Sequence, residues 1–91
     1  MKLLKTKFRT WLEGKDGDEV VGRPVVACDC PIANYIMETE NLIGVTVCQD
    51  WINFTNDVNM DTPKWATTFI TAIDRERTKT VTAQECLTVL G

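Results

Sequence analysis

The sequence predicts an α+β domain in which about four short helices pack on a small, mostly antiparallel sheet of two or three strands. Three observations predict it. Apolar residues recur at helical spacing in four separate segments, while Gly44-Val45-Thr46-Val47-Cys48 alternates with the period of a strand. Prolines or a capping pattern stand where three of the helices begin.

Leu4, Phe8, Trp11 and Leu12 fall at i, i+4, i+7 and i+8, one stripe of a first helix that ends near Gly14. Lys5, Lys7, Arg9 and Glu13 lie largely off that stripe. Residues 14–19, Gly-Lys-Asp-Gly-Asp-Glu, form a turn-rich connector. Val20 to Val26 is too interrupted by Gly22 and Pro24 for a central strand, and reads as a short edge strand or an extended packing segment. Pro31 opens a second helix at the position where a missing N–H costs nothing. Ile32, Ala33, Ile36 and Met37 supply its buried face, and residues 38–41 let it fray.

Gly44 to Cys48 is the clearest strand, and Trp51 to Thr55 is a second candidate. Gln49-Asp50 between them is a weak hairpin turn, because neither residue favours positive φ, and one long bulged strand is the alternative. Residues 56–61 read as a loop. Thr62 and Pro63 then suit an N-cap and a first helical position. Trp65, Ala66, Phe69, Ile70 and Ile73 share one face of that helix and are expected at the centre of the core. Finally, Thr82-Ala83-Gln84-Glu85 is a capping box ahead of Cys86, Leu87 and Leu90.

A chain of 91 residues is expected to form one domain, 1–91, and to bury only about 60–65% of the surface its unfolded form exposes. Its core needs nearly every large apolar side chain, which leaves few for a deep substrate cavity. Ten Lys and Arg against thirteen Asp and Glu give a net charge of −3. That balance argues against a nonspecific grip on nucleic acid, which requires a basic face. Lys2, Lys5, Lys7 and Arg9, followed by Asp16, Asp18 and Glu19, read as two solvated surfaces. Met1-Lys2-Leu3-Leu4 begins like a secretory leader, but Lys5, Lys7 and Arg9 interrupt it, and no apolar run is long enough to span a membrane. The expectation is a cytoplasmic protein without membrane contact, whose Cys28, Cys30, Cys48 and Cys86 are thiols rather than disulfides.

Cys30, just before Pro31, is expected at an N-cap, where free amides and the helix dipole favour a thiolate. Catalysis would also need a base, and the chain has no histidine, so Cys–His and Ser–His arrangements are excluded. Cys28 as a resolving partner would give a strained, reducible disulfide across one residue. Cys30 therefore reads as a cap, and no catalytic residue is expected. The cysteine spacing departs from the C-x2–4-C pairs of zinc sites, so no metal and no cofactor are expected either.

Asp57 and Asp61, with Asn56 and Asn59, make an oxygen-rich loop. It lacks the ligand order, the glycine and the final glutamate of a calcium loop, and turn chemistry explains the same residues. No phosphate-binding glycine loop or dinucleotide fingerprint occurs. The two proline-started helices present bare amides that suit a small anion. Trp11 and Trp65 read as core. Trp51, beside Asp50, is the tryptophan expected at the surface, as a binding hot spot or as a cover for the sheet edge. Cys30, Asp50, Trp51, Asn53, Asp57 and Asp61 are the candidate ligand- or partner-binding residues.

The landmarks Phe8…Trp11-Leu12, Val21-Gly22, Cys30-Pro31-Ile32-Ala33…Tyr35-Ile36, Val45-Thr46-Val47 and Pro63-x-Trp65-Ala66…Phe69-Ile70…Asp74 resemble small uncharacterised proteins of bacteria and their phages, over nearly the whole chain. No activity attaches to that resemblance and it carries no site residues; it implies a mobile-element accessory. The function expected is a small non-enzymatic binding protein, a phage or mobile-element accessory that blocks a host factor by protein–protein contact. The alternative is a small-ligand protein that sequesters a nucleotide or anion through helix N-termini and aromatic side chains at a homo-oligomer interface. A thiol-dependent enzyme at Cys30 stands third.

Overall fold

The computed structural model describes residues 2–54, 59–75 and 79–91. In chain order the elements are α1 (Lys5–Glu13), β1 (Val20–Gly22), α2 (Pro31–Thr39), β2 (Thr46–Val47), β3 (Trp51–Asn53), β4 (Asn59–Asp61), α3 (Lys64–Arg75), β5 (Val81–Thr82) and α4 (Ala83–Leu90). The α+β class is as expected, with one difference. The strands form two antiparallel sheets, β1 with β5 and β2-β3-β4, instead of one.

Each helix buries the stripe that specified it. Phe8 and Leu12 of α1 are fully buried, whereas Leu4 lies just outside the helix as its N-cap and is 37% exposed. Ile32, Ala33, Tyr35 and Ile36 form the buried face of α2, with Met37 only partly covered. In α3 the buried residues are Ala66, Phe69, Ile70 and Ile73. Trp65 packs at the margin of the core and its Nε1 donates to the Leu3 carbonyl at 3.4 Å. The ring of Phe8 joins these helices. It meets Tyr35 edge-on at 5.4 Å and Phe69 edge-on at 5.2 Å, with Trp65 at 5.7 Å and Trp11 at 6.0 Å. The core centres on this cluster, not on α3 alone.

The capping box of α4 is complete: the Glu85 amide donates to Thr82 Oγ1 at 3.2 Å, and the Thr82 amide donates to Glu85 Oε1 at 3.0 Å. The first turn of α4 also donates backward, from the Ala83 amide to the Glu19 carbonyl and from the Gln84 amide to the Gly17 carbonyl. These bonds fix the connector and bring β1 beside β5.

The segment after β1 holds a strained turn. Val25 has φ of 67°, the left-handed region that costs a β-branched residue about 1–2 kcal/mol. Its amide donates to Asp74 Oδ1 at 2.8 Å. On either side, the Arg23 amide donates to the Asp29 carbonyl at 2.8 Å and the Asp29 amide to the Val26 carbonyl at 3.0 Å. These bonds hold the unfavourable dihedral while leaving the side chain 71% exposed.

β2 and β3 pair antiparallel, Thr46 with Asn53 and Val47 with Ile52. The Cys48 amide donates to the Trp51 carbonyl at 2.8 Å, so Gln49-Asp50 closes a hairpin and the single bulged strand is ruled out. Neither turn residue has positive φ. The turn is held instead by α3's approach: Thr62 Oγ1 donates to the Cys48 carbonyl at 2.8 Å, Thr67 Oγ1 to the Gln49 carbonyl at 2.7 Å, and the Thr62 amide to the Asp50 carbonyl at 3.2 Å.

Three local expectations are corrected here. Thr62 supports the hairpin and does not cap α3, whose first carbonyl acceptor is Pro63, bonded by the Ala66 and Thr67 amides. β2 begins at Thr46, because Gly44 at φ of 79° departs from extended backbone. Asn59-Met60-Asp61 is a strand rather than loop, paired along β3 with Trp51 opposite Asp61 and Asn53 opposite Asn59. Neither Asn nor Asp favours strands, so the ladder to β3 overrides local preference. Among the described residues, no helix is long and apolar enough to cross a membrane.

Candidate functional site

Strand alternation sorts the three-stranded sheet into two faces. Val47 and Ile52 are buried and Met60 packs against the core, so this row faces inward. The opposite row carries Thr46, Trp51, Asn53, Asn59 and Asp61. Trp51 is 45% exposed there. Asp61 is its partner in register, which places the two Cβ atoms at about 4.5–5.5 Å by the geometry of directly opposed pairs. One step along, Asn53 Nδ2 donates to Asn59 Oδ1 at 2.7 Å. Asp50 is exposed in the turn that leads into Trp51.

Three of the six candidate residues, Trp51, Asn53 and Asp61, are thus brought to one face of one sheet, with Asp50 exposed in the adjoining turn. Asp57 lies outside the described residues. Ion pairs among the described residues join Lys15 to Glu19 and Glu38, and Arg23 to Asp29, and none involves Asp50 or Asp61.

Cys30 stands apart, beneath the opposite edge of β2. It is the N-cap of α2, as expected, and its Sγ accepts from the Ala33 amide at 3.4 Å. The residue is only 7% exposed, and burial pushes its pKa up to about 11 against the lowering effect of the Ala33 and Ile32 amides. Desolvation therefore outweighs the helix-end effect. Cys86 is pushed up to about 12, chiefly by burial, with Glu85 and Cys30 adding to it. Cys28, by contrast, is exposed and Cys48 partly so. Among the described residues, no three His, Cys, Asp or Glu side chains gather as a metal site.

These thiols make a direct prediction. Iodoacetamide is expected to label Cys28 first, with Cys30 and Cys86 protected until the protein unfolds. Serine at position 30 is expected to keep the cap, and alanine to cost up to about 1 kcal/mol more than serine. The folded-state pKa values of both buried thiols lie above the ordinary value of 9.0. Stability they provide is complete below pH 9 and is lost as pH rises toward 11–12, because only the unfolded chain releases the protons. A melting series from pH 8 to 11 reads that decline, and Cys30→Ser should flatten it; rapid labelling of folded Cys30 would contradict the assignment.

Two further concavities bear on the candidate residues and their surroundings. A cleft of about 630 Å³ between α1, β1 and α2 is lined by Trp11, Lys15, Glu19, Arg23, Asp29 and Glu38. Its charges are paired within it: Lys15 Nζ lies 3.1 Å from Glu38 and 3.8 Å from Glu19, and Arg23 Nε 3.0 Å from Asp29. A smaller pocket of about 200 Å³ separates the Val25 turn from the hairpin tip, with Val26, Ala27, Val47 and Ile70 in its wall and Gln49 and Asp74 beside it. Sequence reasoning missed the exposed Val25. Pro24-Val25 carries none of the glycine or asparagine that marks a positive-φ turn.

The first turn of α2 offers no room for an anion, since Pro31, Ile32 and Ala33 are buried and the Cys30 thiol already accepts from Ala33. No known protein family, no curated protein and no solved structure matches this chain.

Proposed function

We propose that the protein is a non-enzymatic binding module that acts by protein–protein contact through the outer face of its three-stranded sheet. The observation that carries this reading is Trp51, 45% exposed on a short hairpin whose turn carbonyls are tied to Thr62 and Thr67. A large apolar ring on rigid backbone loses little freedom on binding, and tryptophan is enriched among residues that dominate interface energy. Asn53 and Asp61 share its face and Asp50 precedes it in the exposed turn, which makes its surroundings polar. A cytoplasmic mobile-element accessory that blocks a host factor is the role that fits, and the sequence resemblance is what supports it.

The two other readings have less support. Anion sequestration would use helix N-termini, and that of α2 is closed over by its own cap. A thiol enzyme at Cys30 would need a thiolate, whereas burial keeps that sulfur protonated at neutral pH.

The test is a capture experiment in extract of cells that carry the gene. The wild-type chain is expected to retain a partner that Trp51→Ala releases, an affinity loss of at least about 30-fold for a hot-spot residue. The same substitution should leave the fold almost untouched, since an exposed cross-strand pair contributes only about 0.2–1 kcal/mol. Equal capture by both proteins would refute this surface.

A further inference from the structure

Resting on the reading of Trp51 as a contact residue, we propose that the partner presents a basic side chain, arginine above all, across the Trp51 ring, with Asp61 opposite it and Asp50 one residue before it in the turn. The chemistry follows from what surrounds the ring. The face of an indole attracts cations more strongly than that of any other side chain. Asp61 sits directly opposite Trp51 in the ladder, and Asp50 precedes it in the turn. Neither carboxylate has an ion-pair partner among the described residues. Lys64, three residues beyond Asp61, is exposed and forms no ion pair with it.

The face is therefore an aromatic platform with a negative border, and charge complementarity selects its occupant. A guanidinium is planar, stacks on an aromatic ring and can bond carboxylates at its edge at the same time. An ammonium satisfies the carboxylates but stacks less well. A phosphate, an acidic peptide or an anionic membrane would meet repulsion from both aspartates.

The test uses the full chain and short synthetic peptides, with the Trp51 indole N–H followed by nuclear magnetic resonance. The probe is acetyl-Gly-Ser-Arg-Ser-Arg-Ser-Gly-amide, with versions carrying lysine or glutamate in place of both arginines. The arginine peptide is expected to shift the Trp51 signal saturably, with Kd on the order of 1 mM at low salt, as exposed cation–π and ion-pair contacts give. Screening by 0.5 M salt should weaken it about five-fold or more. Asp50→Asn and Asp61→Asn should each weaken it several-fold, lysine should bind less tightly than arginine, and glutamate should leave the signal unmoved. Equal response to the arginine and glutamate peptides, indifference to both asparagine variants, or no response at about 20 mM peptide would each overturn the proposal. If the arginine peptide fails while partner capture still depends on Trp51, the basic chemistry is wrong and the contact surface stands. If capture is also independent of Trp51, the surface itself is wrong.

Discussion

Replacing Phe8 by alanine is expected to cost about 3–5 kcal/mol, the range for truncating an aromatic ring in a packed core. The ring is fully buried and touches aromatic residues from three helices: Trp11 on its own, Tyr35 on α2, and Trp65 and Phe69 on α3. Edge-to-face pairs contribute beyond the area they bury, so the loss exceeds that of an aliphatic residue of similar size. The cavity would open where α1, α2 and α3 meet, and none of the three can close it without leaving the other two. Domains of this kind hold about 5–15 kcal/mol in all. The alanine variant should therefore unfold at much lower urea or temperature, as circular dichroism would report. Phe8→Leu, which fills most of the volume, should lose far less. A melting curve unchanged by Phe8→Ala would mean that the aromatic cluster does not form.

Gly22→Ala is the second substitution expected to have a large effect, about 3 kcal/mol, toward the upper end of what overpacking costs. A Cβ at position 22 would lie 2.6 Å from the Pro31 nitrogen, 2.8 Å from the Asp29 carbonyl oxygen and 2.8 Å from Pro31 Cδ. Those are backbone and ring atoms, so no side chain can swing aside to make room. The backbone at Gly22 is not in the left-handed region; space alone decides the outcome. Relief would require β1 to move off the start of α2. That movement would stretch the bond from Asn34 Nδ2 to the Val21 carbonyl, now 2.7 Å, and the one from the Arg23 amide to the Asp29 carbonyl, now 2.8 Å. Gly14→Ala is the control. Its Cβ would meet only the Trp11 and Thr10 carbonyl oxygens at 3.5 and 3.7 Å, so unfolding free energy should change by less than about 0.5 kcal/mol. Equal stability of the Gly22 and Gly14 variants would contradict the close approach of β1 and α2.

What the sequence carried plainly was its helical periodicity and its caps. Phe8 and Leu12, Ile32 and Ile36, Phe69 and Ile73 all bury as their spacing requires, and Thr82 and Glu85 form the reciprocal cap that their spacing implies. Long-range pairing was less legible. Asn59-Met60-Asp61 has the composition of a loop and becomes a strand only because β3 offers it a ladder. Thr62 has the composition of a cap, yet its hydroxyl is drawn to the Cys48 carbonyl across the chain. Gly22 reads as an interruption, whereas its actual role is to let α2 approach.

The candidate surface shows the same division. Exposure of Trp51 follows from its place in the strand alternation, but its pairing with Asp61 depends on β4, which has no sequence signal. Cys30 shows a different limit. The cap was readable from Cys-Pro, while the depth of burial that suppresses its ionisation depends on residues distant in the chain.

The outer face of the sheet is tested most directly by hydroxyl-radical footprinting of the captured complex, read at the tryptophans by mass spectrometry. Trp51 should oxidise readily in the free protein and several-fold more slowly when the partner is bound, with Trp11 and Trp65 little changed. Oxidation of Trp51 at the same rate in both states, with protection appearing instead at Trp11 beside the α1–α2 cleft, would contradict it.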